Sequence, residues 1–265
     1  MVWFMRNFPR DFRSWDGLSR SVFVLALLLL LVAVVAFLFA PDAVRPLILV
    51  GVVALVITIQ GIVLFGNRGM KTTFAAAQRL YLAGDFEGVR ELLLRADHEG
   101  RSSFRSLTLL GNTYRQLGDL DDSEVVLSEA LHKAPNHHFP LYGFGRTLLA
   151  KGDFAGASTT IRRAVEAGAP PVVLADLGEA YFFNDEPDAA RNALVSAADQ
   201  DAVMKMPHRA LMTGYLLHLL GQGAMPSSAA IRDGLPYWQV SAARYAHTPY
   251  GDRVSLVVET LEHQL

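Results

Sequence analysis

The chain has no cysteine. Disulfides, thiolate metal sites and cysteine nucleophiles are therefore excluded. Lysine is scarce as well: Lys71, Lys133, Lys151 and Lys205 are the only four, and the formal net charge is −2. A chain so nearly neutral has no whole-molecule attraction for nucleic acid. The short words of catalysis are also missing. There is no His-Glu-x-x-His, no nucleophile elbow and no pair of carboxylates in a plausible cleft. Gly143-Phe144-Gly145 follows no strand and reads as the interior of a helix rather than a phosphate loop. Asp119, Asp121, Asp122 and Glu124 lack the glycine and the frame of a calcium loop and suit the start of a helix. His132, His137 and His138 flank Pro135-Asn136 without a carboxylate at ligand spacing, which reads as a solvated loop. The expectation is a protein that is not an enzyme and needs no metal or cofactor.

Hydrophobic residues make up 51% of the chain, and two stretches concentrate them. Ser21 to Ala40 carries no charge; neither does Leu47 to Gly66, where Gln60 is the one strongly polar side chain. Twenty helical residues reach roughly 30 Å, the thickness of a bilayer's hydrocarbon core. The first run is longer than the apolar core of a cleavable leader. Pro41-Asp42-Ala43-Val44-Arg45-Pro46 breaks the runs, so the reading is a transmembrane hairpin over 21–66 with spans at about 21–40 and 47–66. Gly51 and Gly61 are candidates for letting the two spans approach closely. Arg6, Arg10, Arg13 and Arg20 precede the first span and Arg68 and Lys71 follow the second, while the turn has only Arg45 beside Asp42. The positive-inside rule then puts both termini in the cytoplasm of an inner-membrane protein. Residues 1–20, with Trp3, Phe4, Phe8, Phe12 and Trp15 among arginines, form a basic, aromatic flank suited to the headgroup region.

From about Met70 a different pattern takes over. Gly84-Asp85-Phe86, Gly118-Asp119-Leu120 and Gly152-Asp153-Phe154 recur at intervals of 34 residues. A fixed period in this range marks a helical repeat array. Each copy reads as a glycine helix stop and an aspartate able to cap the next helix. Gly111, Gly145 and Gly178 fall inside helices, where glycine costs about 1 kcal/mol against alanine. That cost makes sense where a second helix crosses too closely for a side chain. Tyr114 and Tyr181 fill the space between pairs, and Ala130, Ala164 and Ala197 serve the second helices.

In residues 104–137 the positions Leu107, Leu110-Gly111, Tyr114, Gly118, Ser123, Leu127, Ala130 and Pro135 resemble the tetratricopeptide repeat. Two spans followed by such repeats are loosely similar to HemY-type bacterial inner-membrane proteins. The fold class expected is all-α: a membrane hairpin, then an α-solenoid of four helix pairs over 70–200. Degenerate repeats and a capping helix over 201–265 complete it. Pro226-Ser227-Ser228 is expected to open a short helix through Ile231. Thr248-Pro249 opens the last helix, with Val254, Val257, Val258 and Leu261 on one face and Asp252, Arg253, Ser255, Glu259 and Glu262 on the other.

The resemblance implies a partner groove lined by the first helix of each pair. Its positions here are Phe74, Gln78 and Tyr81, then Thr108, Asn112 and Arg115, then Tyr142 and Arg146. Glu179, Phe182, Phe183, Tyr215 and His218 complete the set. An aromatic, mixed-charge lining suits an extended or helical peptide. Residues 72–265 carry 17 basic and 23 acidic side chains, a net of −6, which argues further against nucleic acid. The function expected is a membrane-anchored scaffold or adaptor that binds a protein or peptide partner. The rival is an accessory subunit of a transport or envelope-synthesis complex, contacted through the hairpin.

Overall fold

Fourteen α-helices and no strand occur among the described residues of the computed structural model, which are 17–66 and 68–265, without the side chains of 66 and 68–72. The basic, aromatic flank thus lies outside the described residues up to Asp16. The chain divides into two compact units, Met1–Arg79 with Glu91–Ser102, and Leu80–Arg90 with Ser103–Leu265.

The first unit holds helices α1 (Gly17–Phe39) and α2 (Arg45–Gly66), lying side by side. Between them the Val44 amide donates to the Pro41 carbonyl at 3.0 Å, and Arg45 pairs with Asp42 at 2.7 Å. Both helices are long and apolar enough to cross a membrane. Leu25, Leu28, Leu31 and Val32 on α1 and Leu47, Val50, Ile57 and Leu64 on α2 leave more than half of their surface bare. A water-soluble protein rarely shows so continuous an apolar surface. Gly51 and Gly61 do not sit where the helices meet. A Cβ added to either would find nothing within 4 Å, so neither glycine provides the close approach expected of it. The same unit takes in most of α3 (Arg68–Leu82) and the later part of α4 (Phe86–His98), where Ala77, Leu93 and Ala96 are buried.

The second unit is a solenoid of antiparallel pairs. It comprises α5 (Phe104–Leu117) with α6 (Leu120–Lys133), α7 (His138–Lys151) with α8 (Phe154–Glu166), and α9 (Val173–Phe183) with α10 (Pro187–Ala198). A single turn, α11 (Asp201–Met204), leads to α12 (Pro207–Leu219), α13 (Ser228–Arg244) and α14 (Pro249–Glu262). The spacing within each pair comes from one glycine. A Cβ on Gly111 would lie 2.4 Å from Leu127 Cγ, on Gly145 2.6 Å from Ile161 Cγ1, and on Gly178 2.5 Å from Leu194 Cγ. Each glycine meets the residue 16 positions on, so the helices cross at the same register in all three pairs. Ala130, Ala164 and Ala197 are fully buried.

At the turns, Gly118 and Gly152 take φ of 93° and 87°, the left-handed region that suits glycine. In the turn between α9 and α10, Asp185 holds this conformation instead, at φ 57°. Asp85 and Asp153 each cap the following helix, accepting from the Gly88 and Gly156 amides at 2.9 Å. Asp119 makes no such bond, and its carboxylate lies 3.6 Å from Arg90 instead.

The carboxyl-terminal part departs from the expectation at one point. Ser227 caps a helix that runs for 17 residues, not a short one ending at Ile231. Pro236 lies inside it. It has no amide to donate to the Arg232 carbonyl one turn back, but both residues are exposed, so water can satisfy that group. Thr248 caps α14, accepting from the Gly251 amide at 3.1 Å. Val254, Val257, Val258 and Leu261 are buried there, and Asp252, Arg253, Glu259 and Glu262 are exposed.

Candidate functional site

The 34-residue period places Asn112 and Arg115 on α5, Tyr142 and Arg146 on α7, Glu179 and Phe182 on α9, and Tyr215 on α12, the first helices of successive pairs. Those helices are neighbours: α5 packs on α7, α7 on α9, and α9 on α12.

A charge cluster ties three of them. Asp176 on α9 is almost fully buried and accepts from side chains of α7 and α12. Tyr142 donates its hydroxyl to Asp176 Oδ2 at 2.6 Å, Arg146 donates to Oδ1, and Arg209 on α12 donates to Oδ2 at 2.5 Å. Arg209 also donates to the Tyr142 hydroxyl at 3.1 Å and to the Val172 carbonyl at 3.2 Å. One turn further along α9, buried Glu179 accepts from the Tyr250 hydroxyl at 2.7 Å. Burial pushes the Glu179 carboxyl up from its ordinary pKa, against the pull of Arg146 and the Tyr250 bond. His208 is pushed down to about 4 by burial, then by Arg209 and Arg146. It is therefore neutral at pH 7, with its ring stacked on Tyr237 at 4.1 Å. The pocket lined by Arg146, Asp176, Glu179, His208 and Trp238 has a volume of about 10 Å³. That is room for about one water, far below what a small-molecule ligand needs.

The last two helices lie on the same face. Arg244 on α13 bonds Gln116 at 2.5 Å, and the Tyr245 hydroxyl donates to the Arg115 carbonyl at 3.2 Å. Pro249 at the start of α14 sits where a Cβ on Gly152 would have to go, 2.7 Å away. The Tyr250 ring meets Phe183 edge-on with centroids 6.0 Å apart.

The positions assigned to a partner groove are thus treated unequally. Phe74 is half-buried and Gln78 exposed on α3 of the first unit. Tyr81, half-buried in the second unit, packs edge-on against Phe86 with centroids 5.2 Å apart. Asn112, Tyr142 and Phe182 are half-buried. Arg115, Glu179 and Tyr215 are buried, as are Thr108 and Phe183. Arg115 donates to Asn112 Oδ1 at 2.8 Å and to the Gly143 carbonyl at 3.3 Å. Asp176, Arg209 and Tyr250, which hold this face together, were not in that set. The signal available for Asp176 is an acid in a helix otherwise almost all apolar, from Val172 to Phe183. His137 caps α7 through Nδ1, accepting from the Phe139 amide at 3.1 Å, and His138 begins the helix, so the loop is structured rather than simply solvated.

Residues 104–137 match the family model of the tetratricopeptide repeat. The match covers one helix pair, α5 and α6. Within it Ser123 stands where this repeat favours alanine. Its buried hydroxyl is satisfied by the Gly111 carbonyl and Thr147 Oγ1, each at 2.7 Å. Among solved structures, the chain is similar to the tetratricopeptide-repeat protein TTC0263 of Thermus thermophilus. That likeness has 15% identity and a TM-score of 0.51, and covers 72% of this chain and 98% of that one. It is similar to PilF of Pseudomonas aeruginosa at 16% identity, covering 71% and 91%, with a TM-score of 0.51. MamA of Desulfovibrio magneticus RS-1 aligns at 19% identity over 74% and 96%, with a TM-score of 0.48. At these identities the likeness is one of fold. No curated protein sequence matches the chain. A tetratricopeptide-type solenoid is a scaffold suited to protein–protein contacts.

Proposed function

We propose that this protein is a membrane-anchored, non-catalytic adaptor. The apolar hairpin α1–α2 would hold it in an inner membrane with both termini in the cytoplasm. The tetratricopeptide-like part would bind a protein or peptide partner there. The observation that carries this reading is one chain joining two helices whose bare surface is leucine and valine to a solenoid of the scaffold type. Confining a partner to a surface raises its effective concentration without any catalysis. In the second unit the first-helix positions still partly open to a partner are Tyr81, Asn112, Tyr142, Arg146, Phe182 and His218; in the first unit they are Phe74 and Gln78.

The test is site-specific photocrosslinking of the full chain in its own membranes, with the probe at position 78. A discrete partner adduct that disappears on Tyr81→Ala, while the protein stays membrane-bound, supports the adaptor. Adducts that are diffuse, or insensitive to that change, remove it.

One observation favours the rival in which the hairpin itself contacts a larger membrane complex. Gln60 is exposed on the apolar surface of α2. An amide facing lipid is costly and is relieved by a hydrogen bond to another transmembrane helix. If that reading holds, Gln60→Leu abolishes co-purification of membrane partners while leaving insertion intact.

A further inference from the structure

In an open solenoid each helix pair touches only its neighbours, and the last helix lies at a free end. This solenoid does not end that way. α13 and α14 turn back along the array and contact helices about 70 to 130 residues earlier in sequence. Arg244 reaches Gln116, Tyr245 reaches the Arg115 carbonyl, and Tyr250 reaches Glu179. The apolar contacts follow the same line, with Pro249 against Gly152 and the Tyr250 ring against Phe183. Trp238 donates to the His208 carbonyl at 2.8 Å, which fixes α13 to the start of α12.

We infer that the α13–α14 hairpin is a fixed internal ligand of the first-helix face, closing the strip formed by the ends of α5, α7 and α9 to any other peptide. Trp238, Tyr245, Tyr250, Val254 and Leu261 are all buried in one core that runs continuously from α7 to α14. Three polar groups it covers take a donor from the hairpin: Glu179 from Tyr250, the Arg115 carbonyl from Tyr245 and Gln116 from Arg244, and each loses that donor if the hairpin leaves. A latch built to open would keep such contacts few and exposed. The linker Leu220–Ser227 includes Gly221 and Gly223 at positive φ and makes a turn, but the helices on both sides of it are packed. The inference leaves the adaptor reading only the part of the first-helix face outside this strip, and it is tested separately from that reading because it concerns how firmly this chain occupies its own face.

The absence of native cysteine makes the test direct. Single cysteines are placed in the full-length, detergent-solubilised protein at Val254 (V254C, buried in α14), at Ala130 (A130C, buried in α6) and at Arg253 (R253C, exposed). Their reaction with a thiol reagent is timed. The exposed site gives the intrinsic rate, and the slowing at the buried sites measures how often each opens. The expected result is that V254C and A130C are slowed together, within about tenfold of one another. Reaction at V254C about a thousandfold faster than at A130C would overturn the inference, because the hairpin would then detach alone as a releasable strap. Reaction of both at the R253C rate would also overturn it, since nothing would then hold the face closed. Should V254C fail to fold, V257C reports on the same helix.

Discussion

Asp176 is the residue on which three helices of the solenoid converge. Replacing it by asparagine keeps the shape but takes from Arg146 and Arg209 the carboxylate they both bind, in a site where both are mostly buried. Removing one partner of a buried ion pair costs about 3–5 kcal/mol, whereas an exposed pair is worth about 1 kcal/mol or less. Asp176→Asn should therefore lower the urea midpoint of the solenoid strongly. Asp188→Asn, which removes an exposed carboxylate paired with Arg191, should hardly move it. Equal effects from the two would show that the cluster is not a keystone. His208 adds a pH dependence. Its folded pKa, about 4, lies below the ordinary histidine value, so the unfolded state binds the proton more readily. Stability should be complete above about pH 6.5 and fall as the pH drops toward 4. Arg209 and Arg146 disfavour a charged ring, and the two acids of the same pocket are already engaged, Asp176 by Tyr142, Arg146 and Arg209 and Glu179 by Tyr250. Because the side chain is only about half buried, water will screen part of the effect. His208→Gln should flatten that part of the stability-against-pH curve, and an unchanged slope would contradict the assignment.

At the scale of the helix, caps and crossings divide the labour. Asp153→Ala removes an amide acceptor at the start of α8 and should cost about 1 kcal/mol. Asp119→Ala removes none at the start of α6 and should cost clearly less, measured by the same denaturation curves. Gly145→Ala tests the crossing. The gain in helix propensity, about 1 kcal/mol, is opposed by a methyl group that would overlap Ile161 and approach its backbone nitrogen at 3.1 Å. Net destabilisation is expected there, while Gly61→Ala, which meets nothing, keeps the propensity gain and should not destabilise.

These elements also show what could be read in the sequence. The glycine at each crossing and the glycine-aspartate turn repeat at a fixed interval, and local chemistry is enough to give the helix pairs from them. The α13–α14 contacts are not periodic. They join Arg244 to Gln116 and Tyr250 to Glu179 across more than two repeats, and no local spacing records a contact of that range. The same limit hid Asp176, whose meaning depends on Arg209 arriving from another pair. Asp185 shows a milder version, because a left-handed turn is legible at glycine and less so at aspartate.

On the scale of the whole molecule, two kinds of surface sit in one sequence. The hairpin leaves leucine and valine bare, and the solenoid buries them. Fully burying one large apolar side chain contributes about 1.5–3 kcal/mol. The several that α13 and α14 bury therefore sum to more than a micromolar peptide, at about 8 kcal/mol, could replace. That ratio is why the hairpin is better described as part of the core than as a lid. For α1 and α2 the same arithmetic runs the other way: their exposed side chains gain it only in lipid or against other apolar helices.

The sidedness of single cysteines in the otherwise cysteine-free chain decides whether α1 and α2 anchor it in an inner membrane with cytoplasmic ends. One is placed at Ala43 in the turn between α1 and α2, and another at Gln264 near the carboxyl end. Intact bacterial cells expressing each variant are treated with a membrane-impermeant maleimide. An inner-membrane hairpin with cytoplasmic ends predicts that position 43 is labelled from outside the inner membrane and position 264 only after lysis. Labelling of position 264 in intact cells, or protection of position 43 until lysis, would contradict it.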